Sequence, residues 1–209
     1  MKKVLAVLGI LVVLLAAFLW YTFKGGKKRP KGPKPVALAV SKHSPAFNQS
    51  IQQVLDAYYN LSEALVTWDT AAVAGEGIKL KTSLDSLKVE ELKIDTTGIY
   101  ESALDPLANA RNEAATIVTS TNLDDKKIAF NSLSENLRLL FIIVKYDQGK
   151  LYWQECPMAF GDGQPGYWIS KTDETRNPYL GTRHPKYKDR MLNCGEPKDT
   201  INFMQPGDL

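Results

Sequence analysis

The chain has 209 residues, which is enough for one domain with a hydrophobic core plus an appendage. Hydrophobic residues make up 44% and charged residues 23%, a balance that excludes a wholly disordered chain. The net charge of +3 is unevenly distributed, since residues 1–35 hold eight Lys or Arg and no acid. The remainder is therefore mildly acidic, which argues against nucleic-acid binding, because that function requires a basic face.

The first segment, residues 4–23, reads VLAVLGILVVLLAAFLWYTF and contains no charge. As a helix it would span about 30 Å, the hydrocarbon thickness of a bilayer. It ends in bulky aromatics such as Trp20 and Tyr21, whereas a cleaved signal peptide requires small residues at its end. The sequence therefore predicts a transmembrane anchor within residues 1–23, with secretion after signal cleavage as the alternative.

The orientation of this anchor follows two opposing signals. The basic residues after the segment outnumber those before it, and the positive-inside rule alone would place the body in the cytoplasm. A short N-terminal tail before a signal-like segment usually stays inside, and the chain that follows is exported. We predict a single pass through the inner membrane, with the body in the periplasm.

A basic linker, residues 24–43, connects the anchor to the body. It begins KGGKKRPKGPKP, in which Gly, Pro and Lys replace apolar residues, so it cannot form a core. We expect an extended, solvated tether.

The body, residues 44–148, carries the periodicity of amphipathic helices. Ser44 followed by Pro45 is a typical helix start, and Asp69 and Asn122 are further candidate caps. Pro106 predicts either a kink or a restart of the third helix with Asp105 as its cap. The first helix has an apolar stripe with spacings of three and four: Phe47, Ile51, Val54, Leu55, Tyr58, Leu61 and Leu65.

The fourth helix has a similar stripe and Gly149 as its predicted stop. Four such helices with short connections pack best as an antiparallel bundle. We found no HExxH motif, no paired Glu-x-x-His and no Ser-His-Asp set in the body, and we predict no enzymatic activity.

The character of the sequence changes over residues 149–209, where Gly, Pro and aromatic residues replace the helical periodicity. The stretches KLYWQEC (150–156) and GYWIS (166–170) read as short strands joined by a turn-rich segment. The predicted fold class is mainly α: an antiparallel four-helix bundle with a small irregular C-terminal β/loop unit, preceded by a transmembrane helix.

The only two cysteines, Cys156 and Cys194, lie in this C-terminal unit, and each has a methionine nearby. Met158 follows Cys156 by two residues, and Met191 precedes Cys194 by three. Thiolate and thioether donors select Cu(I), and by the same softness Ag(I), whereas Zn²⁺ prefers two to four closely spaced Cys or His. One reading is therefore a soft-metal site on these four residues, with His184 as a possible fifth donor.

A second reading needs no metal. Two cysteines in an exported chain usually pair, and a Cys156–Cys194 disulfide would be worth about 4 kcal/mol in the chain-entropy model. The disulfide would remove both thiolates as ligands and leave the methionines as core filling. The residues alone do not decide between the soft-metal site and the disulfide.

The motifs CPMAF, GYWIS, RNPYLG and HPKYKDRMLNCGE, in this order, resemble the C-terminal signature of the bacterial domain of unknown function 3347. The run AFNSLSENLRLL (129–140) resembles the end of the helical part of that domain, so the resemblance spans roughly residues 47–200. It implies an exported protein without enzymatic activity, similar to extensions of periplasmic adaptors in heavy-metal efflux. It also implies copper or silver binding by the Cys-Pro-Met and Met-x-x-Cys pairs.

We therefore expect a membrane-anchored Cu(I)- or Ag(I)-binding protein of the cell envelope, linked to metal efflux or homeostasis. Its expected partners are the soft metal ion, the membrane through residues 4–23, and efflux or envelope proteins. The alternative is a disulfide-stabilised envelope module that binds a protein partner without metal.

Overall fold

A computed structural model describes residues 14–15, 18–21 and 43–204. The chain divides into two compact units, residues 1–38 and residues 39–209. In the first unit the described residues are helical and have exposed side chains. The predicted anchor and linker lie mainly outside the described residues, and none of the helices that are described is long and apolar enough to cross a membrane.

The second unit is mainly helical and ends in a small antiparallel sheet. Consecutive α-helices pack against each other in chain order. The helices are α1 (Pro45–Val66), α2 (Thr70–Asp85), a 3₁₀ helix (Val89–Ile94), α3 (Ile99–Thr119) and α4 (Leu123–Ile143).

The predicted helix starts are confirmed at three places. The Ser44 hydroxyl accepts a hydrogen bond from the Phe47 N–H at 3.0 Å, and Pro45 occupies the first turn. Asp69 and Asn122 cap α2 and α4 through their side chains in the same way. Each cap satisfies an N–H group that the helix itself cannot pair, which explains why the helices begin there.

The end of α4 differs from the prediction. The helix ends at Ile143, not at Gly149, because Lys145 takes a left-handed conformation with φ 53°. The Tyr146 N–H then donates to the Phe141 carbonyl at 3.0 Å, and their ring centroids lie 5.8 Å apart. The end of α4 is thus a Schellman motif, in which the contact between Phe141 and Tyr146 is the accompanying hydrophobic contact. Lys145 takes the left-handed position that glycine usually occupies.

Of the two alternatives predicted at Pro106, a kink or a restart, the structure excludes the restart of the third helix. α3 runs through Pro106 as one helix, so Asp105 does not cap a new one. Pro106 is itself buried among the residues that α3 presents to the core. The other buried residues of α3 are three alanines and two larger aliphatic residues: Ala103, Leu107, Ala110, Ala114 and Ile117.

The first apolar stripe is buried as predicted, and every side chain in it is at most 1% exposed. Aromatic rings connect α1 to α4, since Tyr58 stacks on Phe130 with centroids 5.1 Å apart. The core continues into the sheet through Trp168 and Ile169 of the second strand and into the following loop through Tyr179. One hydrophobic cluster therefore supports both the helices and the sheet.

The sheet has the order β2-β1-β3, and both pairings are antiparallel. Its strands are β1 (Leu151–Cys156), β2 (Gly166–Ser170) and β3 (Glu196–Ile201). The first two confirm the predicted strands. The sequence did not predict β3, because of its residues only Ile201 is buried and no alternation of apolar and polar residues marks it.

Polar side chains of the helices attach β2 to the body. The Ile169 N–H donates to the Tyr58 hydroxyl at 3.0 Å, and Tyr58 lies 2.7 Å from the Ser134 hydroxyl. Ser134 donates its own hydrogen to the Phe130 carbonyl, so Tyr58 is the donor to Ser134. In parallel, the Asn131 side-chain oxygen accepts the backbone N–H that follows Gly166, at 2.7 Å. Burial raises the pKa of Tyr58 well above its usual range, and its hydroxyl therefore keeps its proton.

Candidate functional site

The structure brings the two cysteines together. Their Sγ atoms lie 3.1 Å apart, although 38 positions separate them in the chain. Cys156 is the last residue of β1 and is fully buried, whereas Cys194 lies in the turn before β3 and is partly exposed. Both thiols are free. The pair is therefore accessible from the Cys194 side only.

Gly195 explains how the Cys194 turn comes so close to β1. Its φ is 133°, a conformation that side-chain-bearing residues rarely adopt, and a Cβ atom placed on it would lie 2.5 Å from the Glu155 carbonyl oxygen. The next residue, Glu196, then pairs with Glu155 in the sheet. A glycine at this position thus allows two chain segments to meet beside the thiols.

Asn177 fixes the same turn from the other side. It is fully buried, and its amide donates to the Cys194 carbonyl at 2.7 Å. Its side-chain oxygen accepts the N–H groups of Tyr179 and Leu180 at 2.8 and 3.0 Å. Its backbone N–H donates to the Leu192 carbonyl at 2.8 Å. The Asn177-Pro178 pair is a local signal for a turn, but it does not indicate these contacts with the Cys194 segment.

The surroundings of Cys194 favour its protonated thiol in the free protein. Burial, followed by the hydrogen bond and the charge of Cys156, raises the pKa of Cys194 to about 12. Binding of a metal by the Cys194 thiolate would therefore release a proton at neutral pH.

The methionines occupy two different surroundings. Met191 belongs to the Cys194 turn, since the Cys194 N–H donates to its carbonyl at 3.0 Å, and its side chain packs partly buried against the core. Met158 is also partly buried and lies on the wall of a cleft of about 830 Å³. The residues that line this cleft do not include either cysteine or Met191.

His184 lies on the wall of that cleft as well, and its hydrogen bonds limit its use as a metal ligand. Its Nδ1 atom accepts from the backbone N–H groups of Lys186 and Tyr187, both at 3.2 Å. The neutral ring therefore carries its proton on Nε2, which is then a donor. Burial, Lys127 and Lys186 together lower the pKa of His184. Over the residues that the structure describes, no group of three His, Cys, Asp or Glu side chains could hold a metal ion.

A comparison with family models matches residues 54–149 to a family described as "Protein of unknown function (DUF3347)". The chain thus resembles this family from the middle of α1 to the residues just before β1. The matched range ends before the first cysteine and does not include the C-terminal motifs. No curated protein and no solved structure matches the chain.

Proposed function

We propose that this chain, whose helices resemble DUF3347, is a soft-metal-binding protein of the cell envelope. Cys156 and Cys194 hold a Cu(I) or Ag(I) ion, and the thioethers of Met158 and Met191 complete the donor set. In the full proposal, residues 4–23 anchor the chain in the inner membrane and place an antiparallel four-helix bundle in the periplasm. The protein takes part in metal efflux or homeostasis and has no catalytic activity of its own.

The observation that supports this proposal is the 3.1 Å separation of the two Sγ atoms. Two thiols at one point offer the softest pair of donors in the chain, and softness is what selects Cu(I) over Mg²⁺ or Ca²⁺. The partial exposure of Cys194 gives an ion a route to this pair, and Cys156 supplies a donor from a rigid strand.

The hydrogen bonds of His184 make it the weakest of the five predicted ligands. Metal binding at Nε2 would require the ring to lose that proton while Nδ1 still accepts two backbone N–H groups. The proposal therefore rests on the four sulfur atoms, and a His184→Ala variant should keep most of the affinity.

Competition with a chromogenic Cu(I) chelator tests the proposal on the reduced full-length chain. We expect one ion per chain, and loss of binding by at least about 100-fold in Cys156→Ser and in Cys194→Ser, since each removes a thiolate. Met191→Leu and Met158→Leu should weaken binding less. Met204→Leu, which alters a methionine outside the two sulfur pairs, is the matched control and should bind normally.

The affinity should also depend on pH in a defined direction. Because the pKa of Cys194 is about 12, each ion bound near neutral pH releases at least the Cys194 proton. The affinity should rise at least about tenfold per pH unit between about pH 6 and 8. Equal affinity at both pH values, or no ion bound at all, would contradict the proposal.

The 3.1 Å distance between the Cys156 and Cys194 sulfur atoms also favours a second candidate function, the disulfide-stabilised interaction module. Oxidation would join Cys156 and Cys194 and abolish soft-metal binding through these thiols. Thiol labelling of the denatured full-length chain, isolated from the envelope without reductant, separates the two candidates. Two labelled cysteines support the metal-binding form, and labelling that appears only after reduction supports the module.

A further inference from the structure

The cleft that Met158 and His184 line has the size of a small-molecule site. Its volume of about 830 Å³ falls within the range of ligand pockets, about 300–1,000 Å³. The first turns of α4, the segment 158–165 and the segment 184–187 form its walls. Met158 lies on its wall but neither cysteine does, so the two thiolates that the proposed metal needs lie outside the cleft.

Lys127 is the unusual residue of this cleft. It is only 4% exposed, and its ammonium lies 3.4 Å from the centre of the Trp68 ring. Its ion-pair partner, Asp124, is 3.6 Å away and has a side chain that is 78% exposed. An ammonium has three hydrogen-bond donors and one ion pair does not use all of them, so Lys127, which lines the cleft, can donate to a ligand there.

The charge on Lys127 persists at neutral pH. Burial lowers its pKa to about 8, and Asp124 opposes this shift. The amine therefore carries its proton at pH 7. A buried cation of this kind is stabilised when an anion enters its site.

Trp68 reaches the cleft through an uncommon backbone conformation. Its φ of 54° places it at the left-handed position that ends α1, where glycine is the usual residue. There its ring contacts Lys127 on its face and packs at 74° to His184, with centroids 5.6 Å apart. The strained tryptophan thus brings a cation and an imidazole to the same ring.

His184 supplies a second donor beside Lys127. Since its Nδ1 atom accepts two backbone N–H groups, its Nε2–H remains as a donor, and stacking on Tyr187 at 4.7 Å fixes the ring. Lys186 adds positive charge to the cleft, while Asp124 and the exposed Asp162 are its acidic residues. The partly exposed Ile128 and the ring of Phe160 provide an apolar wall.

We propose that this cleft binds a small organic carboxylate with an aromatic or apolar body. Its carboxylate accepts hydrogen bonds from the Lys127 ammonium and the His184 Nε2–H, and its body packs on Ile128 and Phe160. The juxtaposition of a buried ammonium and a fixed imidazole donor at one indole ring carries this inference, and neither donor is one of the four sulfur ligands of the proposed metal.

Titration calorimetry of the full-length chain with two matched probes tests the inference. 2-Naphthoate carries the anion and the aromatic body, and 2-naphthamide has the same rings without the charge. We expect naphthoate to bind at one site at least about tenfold more tightly than naphthamide, because charge-assisted hydrogen bonds are the stronger ones. Equal binding of the two probes, or no binding of naphthoate, would overturn the inference.

Substitutions at Lys127 test whether naphthoate binds in this cleft. Lys127→Met should lose at least about tenfold in naphthoate affinity and none in naphthamide affinity, and Lys127→Arg should restore part of the loss. Lys79→Met, which removes an exposed lysine of α2, is the control and should leave both affinities unchanged. Cys156→Ser should bind naphthoate normally, which separates failure of this site from failure of the metal site. Unchanged naphthoate binding in Lys127→Met would also refute the proposal.

Discussion

Buried serines of the helices and buried amide side chains of the C-terminal unit donate their hydrogen bonds over different distances along the chain. In the helices the buried hydroxyls of Ser50 and Ser134 donate to carbonyls three or four residues earlier. In the C-terminal unit, Gln154 donates to the carbonyls of Thr172 and Asp173, 18 and 19 residues away. Asn177 likewise reaches a carbonyl 17 residues away.

This difference teaches where a substitution should matter most. A helix keeps its backbone hydrogen bonds when one exposed residue changes, because those bonds are local. In the C-terminal unit a single polar side chain holds several loops, and its loss leaves each of their backbone groups unpaired. A substitution in the C-terminal unit should therefore change the free energy of unfolding more than the same kind of substitution in the helices.

The largest effect is expected for Asn177→Ala. It removes the acceptor of two N–H groups and the donor to the Cys194 carbonyl, all around a fully buried position. We expect a loss of about 3–5 kcal/mol in the free energy of unfolding, measured by urea denaturation. The matched control is Asn193→Ala, an exposed asparagine of the same unit, which should change stability by less than about 0.5 kcal/mol. Similar values for the two variants would remove the contrast between the regions.

The next largest effect is expected for Gly195→Ala. The added Cβ would meet the Glu155 carbonyl oxygen at 2.5 Å in a backbone conformation that alanine rarely adopts. We expect a loss of about 2–4 kcal/mol. Because the turn must move away from β1, the buried Cys156 thiol should also react faster with a labelling reagent. Wild-type stability and labelling rate would show that the close approach at Gly195 is not required.

An effect of opposite sign is expected for Lys127→Met, which replaces a buried ammonium by an apolar side chain of similar length. We expect a gain of about 1–3 kcal/mol at pH 7, since buried charges are often less stabilising than apolar isosteres. The folded pKa of Lys127, about 8, lies below the unfolded value of 10.5, so the folded protein loses this proton first as the pH rises. Stability from this group therefore increases between about pH 8 and 10, and the advantage of the variant should shrink over that window.

Stability curves at about pH 7 and 9.5 measure this difference between the variant and the wild type. Lys79→Met, at an exposed position, should show no such change with pH. A constant advantage of Lys127→Met at both pH values would mean that the lysine titrates normally in the folded protein.

The smallest effect, also stabilising, is expected for Gly75→Ala in α2. A Cβ atom at this helical position would have no neighbour within 4 Å, in contrast to Gly195. The same substitution should therefore raise the free energy of unfolding by about 0.5–1 kcal/mol, because alanine loses less backbone entropy in a helix. A destabilised Gly75→Ala variant would show that the helices are as intolerant as the C-terminal unit.

Local patterns made the helices and two of the strands predictable. The caps at Ser44, Asp69 and Asn122 act within three residues, so the sequence contains the whole interaction. The end of α4 was missed because Lys145 takes the left-handed position that glycine usually signals. The strand β3 was missed because its pairing partner, and not its own composition, makes it a strand.

The candidate site was predictable only in part. The count of two cysteines suggested that they meet, but the contacts of Asn177 with the Cys194 turn depend on the fold as a whole. The position of Lys127 in the sequence already indicates that its surroundings are unusual. It lies three residues before Phe130, on the stripe that α4 buries, and a charge on a buried stripe indicates a special environment.

The hydrogen bond from the Ile169 N–H to the Tyr58 hydroxyl affects whether another strand can pair with β2. Together with Asn131 it occupies N–H groups along the outer border of β2, so no foreign strand can extend the sheet there. The opposite border is β3, where Pro197 and the surrounding charges discourage strand addition. Among the described strands, one border is thus closed by the helices and the other is protected by its own residues, which lowers the risk of edge-to-edge aggregation.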